Sequence, residues 1–96
     1  MADQIFTSNP FEFTPGDTDN HRIVFSGYKG GQEKIFELKV TAGSFRVNKD
    51  GNPNADSAII ASSGNDTVRI GTRHNKTICY VKDLGGSGTI IISQIV

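Results

Sequence analysis

The sequence predicts an all-β domain, an antiparallel β-sandwich or jelly roll of about eight short strands. Three observations predict it. Gly, Pro, Asn and Asp punctuate the chain so often that few stretches could hold a helix. The stretches between them alternate apolar and polar residues with period two. The run from Gly88 to Val96 is rich in β-branched residues and almost uncharged, as a buried strand would be.

Taken in order, residues 4–7 and 11–14 are the first strand candidates, broken by Asn9-Pro10, which marks an interrupted edge strand. Thr14-Pro15-Gly16-Asp17 reads as a turn, because proline presets φ and glycine supplies a permissive corner. Residues 21–28 alternate Ile23 and Phe25 against Arg22, Val24 and Ser26. Residues 28–32 contain Gly30-Gly31 and read as a hairpin tip. Residues 32–42 place Phe36, Leu38, Val40 and Ala42 on one side, with Ile35, Glu37, Lys39 and Thr41 on the other. A helix would scatter those apolar residues around its barrel, so the strand reading wins.

Ala42-Gly43-Ser44 then interrupts the pattern and Phe45-Arg46-Val47 resumes it, as a bulge or tight corner would. Residues 57–62 form a small, smooth strand, and residues 63–66 turn. Residues 67–71 point Val68 and Ile70 inward. Residues 77–82 alternate Ile78 and Tyr80 against Cys79 and Val81, and residues 85–88 read as a flexible tip. In the final run, alternation puts Ile90, Ile92 and Val96 on one face and Ile91 and Ile95 on the other. Both faces are apolar, so the strand is either covered on both sides within the domain or covered on one side by another protein.

The 96 residues make one domain, with residues 1–13 a possible N-terminal arm. Ten basic and ten acidic residues give no net charge, which argues against nucleic acid as the main partner. The single cysteine, Cys79, excludes an internal disulfide and fits a reducing compartment. No signal peptide is expected from Met1-Ala2-Asp3-Gln4, and no apolar run approaches the roughly 20 residues of a membrane span.

No residue pattern announces a reaction, so no enzymatic activity and no cofactor are expected. Asn48, Asp50, Asn52, Asn54 and Asp56 place side-chain oxygens at every second position of a loop, and calcium takes about six to eight oxygens. The glycine follows Asp50 directly and no acidic residue closes the loop, so a solvated hairpin loop is the competing reading. His21 and His74 read as exposed surface residues, and Cys79 as a buried inert thiol. Gly85-Gly-Ser-Gly88 lacks the following helix a phosphate loop needs and reads as hairpin slack. Phe6, Phe11 and Phe13 cluster near the N-terminus, either as core or as an arm that docks on a neighbour.

The segment Phe36-Glu-Leu-Lys-Val-Thr-Ala-Gly-Ser-Phe-Arg-Val47, the small residues of 55–62, Ile78-Cys-Tyr-Val-Lys82 and Gly88-Thr-Ile-Ile-Ile-Ser93 together resemble small β-sandwich virion proteins of tailed bacteriophages, of the capsid-decoration and head-fibre type. The resemblance covers roughly the C-terminal two-thirds and is one of pattern. It implies a non-enzymatic structural subunit, homo-oligomeric, seated on major capsid or tail proteins of a virion and assembled in the host cytoplasm, without nucleic acid or membrane as partner. The expected interface residues are Phe6, Phe11, Phe13, Ile91 and Ile95. The alternative is a carbohydrate- or receptor-binding module using the loops 49–56 and 72–76.

Overall fold

The structure, a computed structural model, describes residues 2–25, 33–64, 67–72 and 77–96. These residues form nine strands: β1 (Ala2–Ile5), β2 (Phe11–Phe13), β3 (Asn20–Val24), β4 (Lys34–Ala42), β5 (Ser44–Asn48), β6 (Ala58–Ala61), β7 (Thr67–Thr72), β8 (Thr77–Asp83) and β9 (Thr89–Gln94). A 3-10 turn covers Ser62–Gly64. The strands build a five-stranded sheet in the order β1-β3-β8-β5-β6 and a four-stranded sheet in the order β2-β9-β4-β7.

The pairing is nested. β2 pairs β9, β3 pairs β8, β4 pairs β7 and β5 pairs β6, all antiparallel. β9 also pairs β4, and β8 also pairs β5. A long hairpin wound into two facing sheets gives this order, which is the jelly-roll winding. β1 lies outside it and pairs parallel with β3, so the five-stranded sheet is mixed rather than purely antiparallel.

Period-two sequence makes each strand two-faced, and the inner faces meet. Phe36, Leu38, Ile90 and Ile92 from one sheet, and Ile23, Phe45 and Val81 from the other, have no exposed surface. Phe6 caps this core through edge-on contacts with Phe36, 5.3 Å between ring centres, and Phe25, 6.0 Å. Each such contact adds about 0.5–1.5 kcal/mol beyond the burial of area.

Several expectations are corrected. Ile78 and Tyr80 do not share a face. A register shift opposite Ile23 and Val24 makes the neighbours Ile78 and Cys79 both fully buried, while Tyr80 stays partly exposed. The hairpin tip expected over 28–32 falls outside the described residues, but its flanking strands, β3 and β4, lie in different sheets. β5 and β6 are consecutive strands that do pair, so the hairpin reading holds for the loop between them.

Residues 85–88 are not slack. They cross from one sheet to the other, pinned by the fully buried Asp83 at the end of β8. Its carboxylate accepts the amides of Gly85 at 3.1 Å and Gly88 at 2.6 Å. This crossing rests on the β4–β5 corner, where Gly43 has a φ of 72° and a Cβ would stand 3.1 Å from the Cα of Gly88. Two backbones approach there too closely for side chains.

The N-terminal segment is part of the sandwich. Asn9-Pro10 is a cis peptide bond. Asn9 bridges the break in the ladder: its Oδ1 accepts the Gln94 amide at 3.0 Å, and its Nδ2 donates to the Gln94 carbonyl at 3.4 Å. A side-chain amide thus carries the β2–β9 pairing one step past proline, which has no N–H to give.

Candidate functional site

The terminal strand β9 pairs within its own chain, between β2 and β4. Its inward residues, Ile90 and Ile92, are fully buried. Alternation turns Ile91 outward, where it is partly exposed. Past the strand, the Ile95 amide donates to the Ile35 carbonyl at 2.7 Å and that of Val96 to the same oxygen at 3.4 Å. The side chains of Ile95 and Val96 remain 46% and 59% exposed. Val96 therefore does not join Ile90 and Ile92 on the buried face, because the strand ends at Gln94.

Around these residues the outer face of the four-stranded sheet is laid out in rows. Ile91 lies in register with Glu12 on β2 and with Lys39 on β4. The next row holds Ser93, Glu37 and Arg69, with an Arg69–Glu37 ion pair at 3.2 Å. Glu12 and Lys39 are both exposed, and among the described residues neither has an ion pair. The sequence places Lys39 on the solvent side of its strand, but not opposite Ile91, because cross-strand register is a long-range property.

For the phenylalanine cluster the core alternative is the one found. Phe6 and Phe13 are each 8% exposed, and Phe11 packs against the same core. Phe6 and Phe13 thus offer no surface to a neighbour, whereas Ile91 and Ile95 do.

The β5–β6 loop borders a second feature, an open concavity of about 350 Å³ lined by Val47, Asn48, Lys49, Asn54, Asp56, Ser57 and Ala58. Arg46 on β5 shapes it by donating to the carbonyls of Ala55 and Ser57, both at 3.2 Å. Two of the loop's five alternating side chains turn an oxygen on their own backbone. Asn48 Oδ1 accepts the Asp50 amide at 3.1 Å and Asn54 Oδ1 accepts the Asp56 amide at 2.8 Å. Asp56 lines the concavity, while Asp50 and Asn52 are exposed outside that lining. Among the described residues no three His, Cys, Asp or Glu side chains gather in one place.

His21 corrects another expectation. It is buried, 5% exposed, edge-on to Phe13 with 5.1 Å between ring centres. Its Nε2 lies 2.7 Å from Asp17 Oδ1. A carboxylate only accepts, so Nε2–H donates. That bond, with the Asp19 amide as second donor, holds the Asp17 carboxyl below its ordinary value. Spacing of four across the turn was the available signal. Cys79 is buried as expected, and desolvation pushes its thiol far upward, leaving almost no thiolate to act as nucleophile or metal ligand. His74 lies outside the described residues.

No protein-family model, curated protein or solved structure matches the chain.

Proposed function

We propose that this protein is a non-enzymatic structural subunit of a phage or phage-like virion, a capsid-decoration or accessory module that binds neighbouring virion subunits. The observation that carries the reading is the pairing of a fully buried inner face of β9 with apolar residues, Ile91, Ile95 and Val96, on or beside its outer face. Covering each such side chain contributes on the order of 1.5–3 kcal/mol at most. Repetition over a lattice would convert contacts of that size into firm attachment. The jelly-roll winding supports the reading as analogy only, since viral capsid proteins, lectins and cupins all use it.

The test is the protein inventory of virus particles purified from the source culture. The chain present in fixed stoichiometry with the capsid protein is the expected result. The chain confined to cell fractions, and absent from particles, would overturn the reading.

A second reading, a carbohydrate- or receptor-binding module, is favoured by the concavity beside the β5–β6 loop, where Asn48, Asn54 and Asp56 offer polar atoms. A glycan screen with and without calcium separates the two, because only this reading expects a ligand lost on changing Asn54 or Asp56.

A further inference from the structure

We infer that the outer face of the β2-β9-β4-β7 sheet is a self-complementary surface that docks a second copy of this chain through a two-fold axis running along β9. Glu12, Ile91 and Lys39 lie side by side on three adjacent strands, acidic on one side of the isoleucine and basic on the other. All three point away from the core, since their neighbours Phe13, Ile90, Ile92, Leu38 and Val40 are buried. A two-fold axis in the plane between two facing sheets, parallel to the central strand, keeps each row in place and exchanges its left and right ends. Ile91 then meets Ile91 of the other copy. Glu12 of each copy meets Lys39 of the other, so two ion pairs form from charges that have no such partner among the described residues.

The same operation stacks Ile95 on Ile95 at the end of the strand, covering side chains that are half exposed in the single chain. Sheets facing one another sit about 10 Å apart, which long Glu and Lys side chains span at the rim while isoleucines fill the centre. An apolar centre with a polar rim is the ordinary anatomy of an interface.

The size of the face sets the strength. With the axis on β9, the strands β2, β9 and β4 overlap their counterparts and β7 lies beyond the partner's edge. Three strands about 4.8 Å apart, over six residues of about 3.3 Å each, give roughly 14 by 20 Å, or about 600 Å² for two copies together. That is below the ~1,200 Å² of stable specific complexes, so the dimer is weak in solution and reinforced only in an assembly.

This inference deepens the structural-subunit reading and rests on it for why a chain should self-associate. Sedimentation equilibrium of the full chain, from about 10 µM to about 1 mM, brackets a weak dimer. The expected result is reversible dimerisation that weakens with added salt, since the rim pairs are screened. Glu12→Lys and Lys39→Glu each replace two attractive contacts by two repulsive ones, and each is expected to weaken the dimer by at least about tenfold. The double exchange, E12K with K39E, restores the charge pattern in mirror form and is expected to return the affinity to near that of the native chain.

Circular dichroism and urea midpoints establish that each variant is folded. Both charges are exposed, so each midpoint is expected to be unchanged. A chain that stays monomeric throughout, or a dimer indifferent to the single exchanges, or a double exchange that fails to restore it, overturns the inference. A dimer that obeys the charge exchange while the chain is absent from virus particles leaves this inference standing and removes the virion reading instead.

Discussion

Asp83 and Gly88 hold each other inside the protein: the carboxylate accepts the glycine amide at 2.6 Å, and both residues are buried. A side chain at the end of β8 thereby fixes the path by which the chain leaves one sheet and enters the other. Asp83→Ala leaves two amides, of Gly85 and Gly88, without that acceptor. Losing such bonds costs about 2–3 kcal/mol. Asp83→Asn, which keeps one accepting oxygen, loses less. Urea unfolding midpoints of the two variants check the order, and equal stability of Asp83→Ala and the native chain would refute it.

Glycine is required at 88 for space. A Cβ there would stand 2.7 Å from the Ala42 carbonyl oxygen and 2.9 Å from the Phe45 ring. Gly88→Ala is expected to destabilise by about 1–3 kcal/mol, as overpacking does. Gly51, in the β5–β6 loop, has nothing within 4 Å of its would-be Cβ. Gly51→Ala is expected to leave stability unchanged or raise it by up to about 1 kcal/mol, through a less flexible unfolded chain. Thermal midpoints of the pair read the contrast directly.

Asp17 introduces a pH dependence. His21, then the Asp19 amide, lower its pKa from the ordinary 3.8. A carboxyl lowered on folding stabilises the folded state above its unfolded pKa and loses that contribution as pH falls through the folded one. Stability from this group is therefore complete above about pH 5 and drains away below about pH 4. Asp17→Asn removes it, so variant and native curves should separate at pH 5 and converge towards pH 2. Parallel curves over that range would show that the bond does not couple to folding.

The outward isoleucines test the proposed assembly separately from folding. Ile95 is 46% exposed, so Ile95→Asp should change the stability of the single chain by no more than about 0.5 kcal/mol while weakening its assembly. Ile91→Asp, at a partly buried position in the middle of the sheet, should weaken assembly at a greater cost in stability. Assembly unaltered in a folded double variant would remove these residues from the interface.

Cys79 reports on opening. The thiol is fully buried between the sheets, and desolvation raises its pKa. Native protein should resist a thiol-labelling reagent at pH 8, and one thiol per chain should react in denaturant. Rapid labelling of the native state would mean that the start of β8 opens on that timescale.

Much of this architecture was legible in period two alone. Phe36, Leu38 and Val40 alternate with charged residues, and that alternation decides which side of β4 is core. The same reasoning fails wherever the signal is non-local. The parallel partner of β1 leaves no trace in its four residues, and the crossing at 85–88 reads as a hairpin because glycine-rich turns look alike whichever sheet follows. At Ile78 and Cys79 a register shift overrides alternation. An aspartate closing a strand looks solvated until the two amides it accepts are seen, and His21 looks exposed until Phe13 is placed over it. Of the candidate site, Ile91 and Ile95 were legible as outward apolar residues, while the flanking pair Glu12 and Lys39 emerged only with cross-strand register.

The nested pairing also sets an order of events for a newly made chain. Arg46 reaches the Ser57 carbonyl across only 11 positions, whereas Asn9 reaches Gln94 across 85. Each outer pair must close a longer loop than the pair inside it, and loop closure is an entropic debt that contacts discharge only afterwards. Loop length therefore predicts the β5–β6 hairpin as the nucleus, with pairing spreading outward until β2 seals against β9, an order that φ-values for the two strand pairs would check. Proteins dominated by such distant pairings fold in about milliseconds to seconds rather than microseconds. On that order the surface carrying Ile91 and Ile95 is completed last, so the contacts proposed for it become available only once the rest of the chain has folded.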